Sequence, residues 1–191
     1  MDNLLLQSNR SSRVHPQKFA LWAAMASIVM MFASLSSAYI VRQAAGNWLE
    51  FQLPSAFYIS TIIILLSSIC LHKSYKSFIG GHERNYKLFL VLAFFLGLGF
   101  VVSQYVGWQS LYALGIDLKG NPSGSFLYVM TFIHVVHVLG GIACLITAMF
   151  HAFALKYVVT ERRKHRFELV NHYWHFVDLL WVYLLIFLLF S

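Results

Sequence analysis

Five long runs of apolar residues, separated by short polar segments, dominate the sequence. The runs cover residues 19–41, 54–71, 88–114, 126–155 and 170–190. An α-helix needs about 20 mostly apolar residues to cross the hydrocarbon core of a bilayer, so each run is a candidate transmembrane helix. The pattern therefore predicts an all-α membrane protein: one bundle of five transmembrane helices over residues 19–190, preceded by a polar tail over residues 1–18.

The composition agrees with a lipid environment. Of the 191 residues, 59% are hydrophobic and only 11% are charged, whereas a soluble domain has about 25% charged residues. This deficit excludes most soluble enzymes and DNA-binding modules, and the high hydrophobicity excludes an intrinsically disordered chain. Cys70 and Cys144 both fall inside predicted spans, so we expect them to pack as small apolar residues and not to form a disulfide framework.

The basic residues are divided unevenly between the two ends of the predicted helices. A net charge of +7 would also suit a nucleic-acid-binding protein, but there Lys and Arg gather on one face or arm. Here 12 of the 14 lie in the tail and in the second and fourth loops, and only Arg42 and Lys119 lie in the other two loops. By the positive-inside rule, the N-terminus is predicted to be cytoplasmic (or on the matrix side) and the C-terminus outside. Membrane topology therefore explains the positive net charge, and nucleic-acid binding is not needed to explain it.

Several features of the spans predict a closely packed bundle. Small residues such as Gly97, Gly107 and Gly141 occur within them, and small residues let helix backbones approach each other in lipid. Arg42 and Lys156 fall at the two opposite interfaces, where they are candidate contacts for lipid headgroups.

Six ionisable residues lie inside the predicted spans, where such residues are costly and therefore mark candidate functional sites. They are His134, His137, His151, His172, His175 and Asp178. At about 1.5 Å of rise per residue, the pair 134/137 and the pair 172/175 lie roughly 20 Å apart along the bilayer normal. They are too far apart to share one metal ion, because His–metal bonds are about 2 Å long. Interhelical hydrogen bonding is the predicted role of these histidines, with a haem or metal site and proton handling as alternatives.

Asp178 is a special case among these residues. It lies about 12 Å from the inner end of the last span, near the middle of the bilayer. An ionised and unpaired carboxylate is implausible at that depth, so the side chain is predicted to be protonated or paired. His175, one helical turn away, is the nearest candidate partner. A helix-locking His–Asp contact and a protonatable relay site are the two interpretations.

Three segments carry a resemblance to a known family. Residues 173–181, YWHFVDLLW, resemble the Trp-His-Phe-x-Asp-x-x-Trp signature of subunit III of the haem–copper respiratory oxidases, and Glu168 matches an acid that often precedes it. Residues 131–138, TFIHVVHV, are similar to the family's His-Gly-x-His-Val segment, with Val135 in place of the glycine. The first span is similar to the opening span of the family's short form. The three segments occur in the family's order, so the resemblance covers nearly the whole chain.

One position departs from the family pattern. Many members have a glutamate after the Ala-Ser of the first matching span, whereas Ala26 and Ser27 are followed here by Ile28. The role of that acid in relatives therefore does not carry over to this chain.

The resemblance implies an accessory subunit of a terminal oxidase that reduces O2 to water and pumps protons, with five spans as in several bacterial members. Such a subunit has no catalytic, cofactor-binding or metal-binding residues, because haem and copper belong to partner subunits. It packs on subunit I, in a complex with subunit II, binds structural phospholipids, and supports proton uptake and complex stability in the bacterial inner membrane.

The resemblance assigns structural, subunit-contact or lipid-contact roles to a set of residues in the last two spans. They are His134, His137, Glu168, His172, Trp174, His175, Asp178 and Trp181. A cytochrome b-like electron carrier, with haem held by the histidines, is the alternative from another class. A small transporter is a weaker alternative, since neither inverted repeats nor paired broken helices are evident.

Overall fold

Five long α-helices joined by short connections make up the described chain. A computed structural model describes residues 16–49 and 51–190. The helices are α1 (Pro16–Ala44), α2 (Ser55–Ile79), α3 (Glu83–Ala113), α4 (Pro122–Ala154) and α5 (Glu161–Phe190), and no strand occurs within these residues. Each helix is long and apolar enough to cross a membrane. The predicted all-α architecture with five candidate spans is confirmed.

Most of the helices extend beyond the apolar runs that predicted them. The shortest has 25 residues and the longest 33, so even the shortest is about 37 Å long. The hydrocarbon core of a bilayer is only about 30 Å thick. The additional turns carry charged and polar residues into the headgroup region, where a helix still satisfies its own backbone N–H and C=O groups. Arg10 and Arg13, part of the predicted charge asymmetry, lie outside the described residues.

The connection between α2 and α3 is a tight turn of three residues, 80–82. Gly81 has a φ of +79°, in the left-handed region that glycine adopts without strain. The turn is closed by the backbone N–H of His82, which donates to the carbonyl of Ser77 at 3.0 Å. So short a connection makes the two helices antiparallel neighbours.

One end of the bundle collects the basic loops. Three contacts bring together the starts of α1, α3 and α5 and the ends of α2 and α4. They are Lys18 Nζ to Glu168 Oε1 at 3.1 Å, Ser74 Oγ to the Tyr86 carbonyl at 2.9 Å, and Tyr157 Oη to the Phe78 carbonyl at 2.7 Å. We call this end the basic end.

Asn121 organises the opposite end. Its side-chain oxygen accepts from the Ser123 N–H at 3.0 Å, which caps the start of α4. The same oxygen accepts from the Leu49 N–H at 3.4 Å, and its amide donates to the Asn47 carbonyl at 3.2 Å. One side chain thus fixes both the start of α4 and the segment after α1.

The five helices are not joined to one another equally. Ser67 Oγ donates to the Ala93 carbonyl at 2.8 Å, and Gln104 Nε2 donates to Ser60 Oγ at 2.8 Å, so α2 and α3 are joined by buried polar contacts. Among the described helices, α1 packs only against α4 and α5. The core between α2, α3, α4 and α5 is therefore the most closely packed part of the bundle, and it contains most of the predicted site residues.

Candidate functional site

Some of the predicted site residues on α4 and α5 fall into two clusters at different depths, of which the first is buried and the second reaches from the interior to the exposed His72. The first surrounds Trp181 and includes His134 and Phe100; we call it the tryptophan cluster. The second surrounds Asp178 and includes Ser68, His175 and His72; we call it the aspartate cluster. Since Trp181 lies three residues beyond Asp178 on α5, the clusters adjoin along that helix.

Trp181 is the centre of the tryptophan cluster. Its ring lies 5.1 Å from the ring of Phe100 and 5.1 Å from the ring of His134, and it is stacked on Phe57 at 6.1 Å. Its indole N–H donates to Thr61 Oγ1 at 2.9 Å. This contact satisfies the polar edge of a fully buried indole, so Trp181 holds α2, α3, α4 and α5 together.

His134 is completely buried among aromatic rings. Its exposed fraction is 0%, and the rings of Phe32 and Phe100 lie 6.4 and 5.8 Å away. Within the described residues, neither ring nitrogen has a hydrogen-bond partner. An apolar surrounding strongly disfavours the charged imidazolium, so His134 packs here as a neutral ring.

Trp174 occupies a space made by two glycines. It is 1% exposed. A Cβ added to Gly97 of α3 would lie 2.8 Å from Trp174 Cη2, and one added to Gly141 of α4 would lie 2.9 Å from Trp174 Cε3. Both distances are shorter than van der Waals contact, so the indole fits only because these positions lack side chains. Small residues were predicted to allow close helix packing, and Gly97 and Gly141 do so around Trp174.

The aspartate cluster connects α5 to α2. Ser68 Oγ of α2 is hydrogen-bonded to Nδ1 of His175, and the ring of His72 lies 5.8 Å from that of His175. Ser68 and His72 are four residues apart, so they share a face of α2. The side chains form a polar path from the basic end of α2 toward the middle of the bundle.

Asp178 is the inner end of this path. It is 4% exposed, and Ser68 of α2 lies near it. Yet neither carboxylate oxygen has a partner in hydrogen-bonding geometry within the described chain. The predicted His175–Asp178 contact is therefore wrong, because the His175 ring turns to Ser68 on the neighbouring helix. A buried carboxylate without a cation or donor is far more stable in its protonated form.

Three other histidines bond within their own helices. The ring Nδ1–H of His137, His151 and His172 donates to the carbonyl four residues earlier, at 2.8, 2.8 and 2.7 Å. Helical side chains lean toward the preceding turn, which brings the ring to that carbonyl. Within residues 16–49 and 51–190, the prediction of interhelical hydrogen bonds is wrong for these three and for His134, and of the five histidines only His175 forms one.

The remaining predicted residues lie at the two ends of the bundle. Glu168 pairs with Lys18, and both side chains are partly exposed. Arg42 donates to the Gly46 carbonyl at 3.3 Å at the end of α1. Lys156 follows α4 at the basic end, where its carbonyl accepts from Arg163 at 2.8 Å.

The clusters supply chemistry of two kinds. Among the residues that the structure describes, no three His, Cys, Asp or Glu side chains come together as a metal-binding group. What the tryptophan cluster provides is rigid aromatic packing. The aspartate cluster provides groups that can hold and pass a proton: a buried carboxyl, a hydroxyl and two imidazoles.

Sequence reasoning missed Ser68 and His72. Both lie on α2. His72 lies one residue beyond the predicted second span, and Ser68 is not ionisable, so neither was a candidate site residue. Their four-residue spacing on one helix face was the available signal, but only packing against α5 reveals that this face meets His175 and Asp178.

Comparison with known proteins places these features in a family context. Residues 49–191 match the family described as cytochrome c oxidase subunit III. The matched region includes both clusters and four of the five helices.

Individual relatives agree with the family match. The chain is 30% identical over 167 residues to the probable cytochrome c oxidase subunit 3 of Mycobacterium bovis, covering 83% of this chain and 79% of the relative. It is 32% identical over 129 residues to cytochrome c oxidase subunit 3 of Cyanidium caldarium, covering 68% and 46%. It is 25% identical over 171 residues to cytochrome bo(3) ubiquinol oxidase subunit 3 of Buchnera aphidicola, covering 86% and 88%.

Proposed function

Because the chain belongs to the cytochrome c oxidase subunit III family, we propose that it is the accessory subunit III of a haem–copper terminal oxidase. Such a complex reduces O2 to water and couples the reaction to proton pumping. The family match over residues 49–191 is the observation that carries the proposal. The relatives include subunits of a cytochrome c oxidase and of a ubiquinol oxidase, so either electron donor is compatible with it.

The chain's proposed place is beside the catalytic subunit. It carries no redox centre of its own and packs directly on subunit I, with subunit II in the same complex. In support, large apolar side chains such as Phe95, Phe132 and Leu179 are 57 to 70% exposed on the bundle surface. A surface of this kind is covered by lipid or by other membrane subunits.

Proton handling is the proposed role of the aspartate cluster. Asp178 holds a proton in the bundle interior, and Ser68, His175 and His72 link it toward the basic end. The hydrogen bond between Ser68 and His175 and the short distance between the His175 and His72 rings support this role. Intramembrane ionisable residues are typical of proton relays.

The tryptophan cluster and the bundle ends have proposed structural roles. His134, Trp174 and Trp181 fix the packing of α5 against α2, α3 and α4, and Arg42 and Lys156 contact lipid headgroups at the two interfaces. We place the chain in the bacterial inner membrane, with the basic end in the cytoplasm. The bacterial relatives and the charge asymmetry support this placement.

Co-purification tests the proposal. The chain is tagged, the membranes are solubilised in a mild detergent, and the captured complex is examined for subunit I by its haem spectrum and by mass spectrometry. We expect subunit I to be recovered in stoichiometric amount. As a control, an unrelated multi-span membrane protein with the same tag should capture none.

The same purification separates the proposal from a cytochrome b-like carrier. When the chain is separated from its partners, the proposed accessory subunit has no Soret absorption. A Soret band in proportion to the isolated chain, or capture that never includes subunit I, would contradict the proposal.

A further inference from the structure

Two histidine rings from different helices lie against each other toward the basic end of the bundle. His72 of α2 and His175 of α5 are more than 100 residues apart in the sequence, yet their ring centroids lie 5.8 Å apart, with an angle of 56° between the ring planes. His72 is exposed and His175 is half-buried. His72 also lies seven residues before the end of α2 at Ile79, about 10 Å from that end. The pair can therefore be reached by small ions from the basic end.

The separation of the two rings suits a shared metal ion. An imidazole nitrogen binds zinc at about 2.0–2.1 Å, which places the ion about 3.2 Å from the ring centroid. Two rings on one ion therefore have centroids about 5 Å apart at a tetrahedral angle and about 6.4 Å apart when they are opposite each other. The observed 5.8 Å lies between these limits. Both rings can thus bind one ion with an adjustment of their side chains alone.

Ser68 prepares His175 for metal binding. The Ser68 hydroxyl is hydrogen-bonded to Nδ1 of His175. When the Nδ1–H donates in this bond, the lone pair of the neutral ring is on Nε2, which is then the metal-binding nitrogen. Metal-binding histidines almost always donate their other N–H to a fixed acceptor, and this bond sets both the tautomer and the orientation of the ring. Ser68 is only 8% exposed, so its own position is fixed by the packing of α2.

The ring nitrogens of His72 are both available. Within the described residues, the His72 ring contacts the ring of His175 and forms no hydrogen bond. His172, which lies three residues before His175 on α5, differs in this respect. Its Nδ1–H donates to the Glu168 carbonyl of its own helix at 2.7 Å. His72 is therefore the histidine that can turn a free nitrogen toward His175.

The lysines of this region do not direct their charge at the pair. Lys73 follows His72 in the sequence, but its Nζ lies over the ring of Phe89 on α3, 5.7 Å from the centroid. Lys18 is paired with Glu168 at 3.1 Å, so its charge is balanced. A cation between the two imidazoles therefore meets no unbalanced ammonium group directed at it from these two lysines.

We propose that His72 and His175 bind one exchangeable divalent transition-metal ion, such as Zn²⁺, which bridges α2 and α5. Imidazole is a preferred ligand of zinc, copper and nickel. Structural zinc sites have four protein ligands, whereas open positions are filled by water. No three ligating side chains come together in the described part of the chain, so this bridge has two protein ligands and is reversible. The inference goes beyond the proposed function and does not depend on the oxidase assignment.

Zinc counting tests the bridge. The complex is purified through a tag without histidine, stripped of loosely bound metal with a chelator, dialysed against zinc and analysed by elemental mass spectrometry. We expect wild type to retain one zinc ion per chain more than His72→Gln, because loss of one of two protein ligands abolishes the site. His72 is exposed, so the substitution leaves the packed core intact. X-ray absorption of the additional zinc should show two imidazole ligands.

Two further variants separate the bridge from general zinc binding by histidines. In Ser68→Ala the affinity for zinc should fall about 10- to 100-fold, which is the usual effect of losing a hydrogen bond that orients a metal ligand. His172→Gln is the matched control, since it removes a histidine of the same region that is not part of the pair. It should retain as much zinc as wild type does.

Three results would overturn the inference. They are equal zinc content in wild type and His72→Gln, equal loss of zinc in His172→Gln, and unchanged affinity for zinc in Ser68→Ala. Subunit I is quantified by its haem absorbance in the same sample. Failure of the oxidase assignment and failure of zinc binding are therefore recorded separately, and zinc is counted per chain whether or not subunit I is captured.

Discussion

At the residue scale, the least expected feature is the isolation of Asp178. A carboxyl group that is 4% exposed would normally be paired with a cation, since burying an unpaired charge is very costly. The sequence offered His175 as that partner, but His175 bonds to Ser68 of α2 instead. The protonated form of Asp178 that we propose avoids the burial of an unpaired charge near the middle of the bundle.

Replacing Asp178 with asparagine tests this protonation state. Asparagine has nearly the shape of a protonated carboxyl group but cannot exchange a proton. We expect Asp178→Asn to change the stability of the purified complex by less than about 1 kcal/mol, since no charged pair is lost. Proton uptake in reconstituted vesicles should be slower, measured with a pH indicator during turnover.

Asp117→Asn, in the loop at the opposite end, is the control and should leave uptake unchanged. Wild-type oxygen consumption, pumping and yield in Asp178→Asn would leave Asp178 without a role in proton handling. A severe loss of assembly would show instead that the carboxylate is charged and has a structural partner in the complex.

At the element scale, the helices are held by shape more than by polar contacts. Trp174 of α5 fits between Gly97 of α3 and Gly141 of α4. In lipid the hydrophobic effect does not drive helices together, so close van der Waals packing carries much of the association. Gly97 and Gly141 are therefore as important as Trp174 itself for the packing of α5 against α3 and α4.

A pair of glycine substitutions on α3 tests this packing. In Gly97→Ala, the new Cβ would lie 2.8 Å from a buried indole, whereas in Gly99→Ala it would lie 3.7 Å from Ile63 Cγ2. The first must shift a rigid ring at a cost of about 1–3 kcal/mol. The second makes an ordinary contact and gains helix propensity.

We therefore expect Gly97→Ala to be less stable than Gly99→Ala by about 1–3 kcal/mol, measured by thermal unfolding in detergent. Equal stabilities would mean that the space around Trp174 adapts freely.

At the scale of the whole molecule, charge and topology agree. Contacts such as Lys18–Glu168 gather alternate helix ends at the basic end, and the loop containing Lys119 lies at the other. A bundle of five antiparallel spans starts α1 at the basic end and ends α5 at the opposite end. The proposed cytoplasmic location of the basic end follows from the positive-inside rule.

Labelling of single cysteines in intact cells tests the orientation. With Cys70 and Cys144 replaced by serine, Lys119→Cys should react with a membrane-impermeant maleimide, whereas Arg162→Cys should react only after permeabilisation. Each serves as the control for the other, and the reverse pattern would place the basic end outside.

Much of the architecture followed from the sequence alone. The five apolar runs predict five helices, because a helix is the structure that satisfies its backbone in lipid within a single segment. The YWHFVDLLW segment of residues 173–181 and the His134–His137 segment also indicated the family before any tertiary contact was known. These are local signals, carried by composition and spacing.

Tertiary packing decided the partner of each site residue. The neighbours of His175 are Ser68 and His72, more than 100 residues earlier, and His134 lies among aromatic rings from three other helices without a hydrogen-bond partner in the described chain. Helical periodicity fixes which residues share a face, but the rotation of each helix about its axis depends on which side chains fit together. The sequence by itself thus determined five helices and their charge asymmetry, while the structure determined that His175 bonds to Ser68 and that Trp174 fits between two glycines.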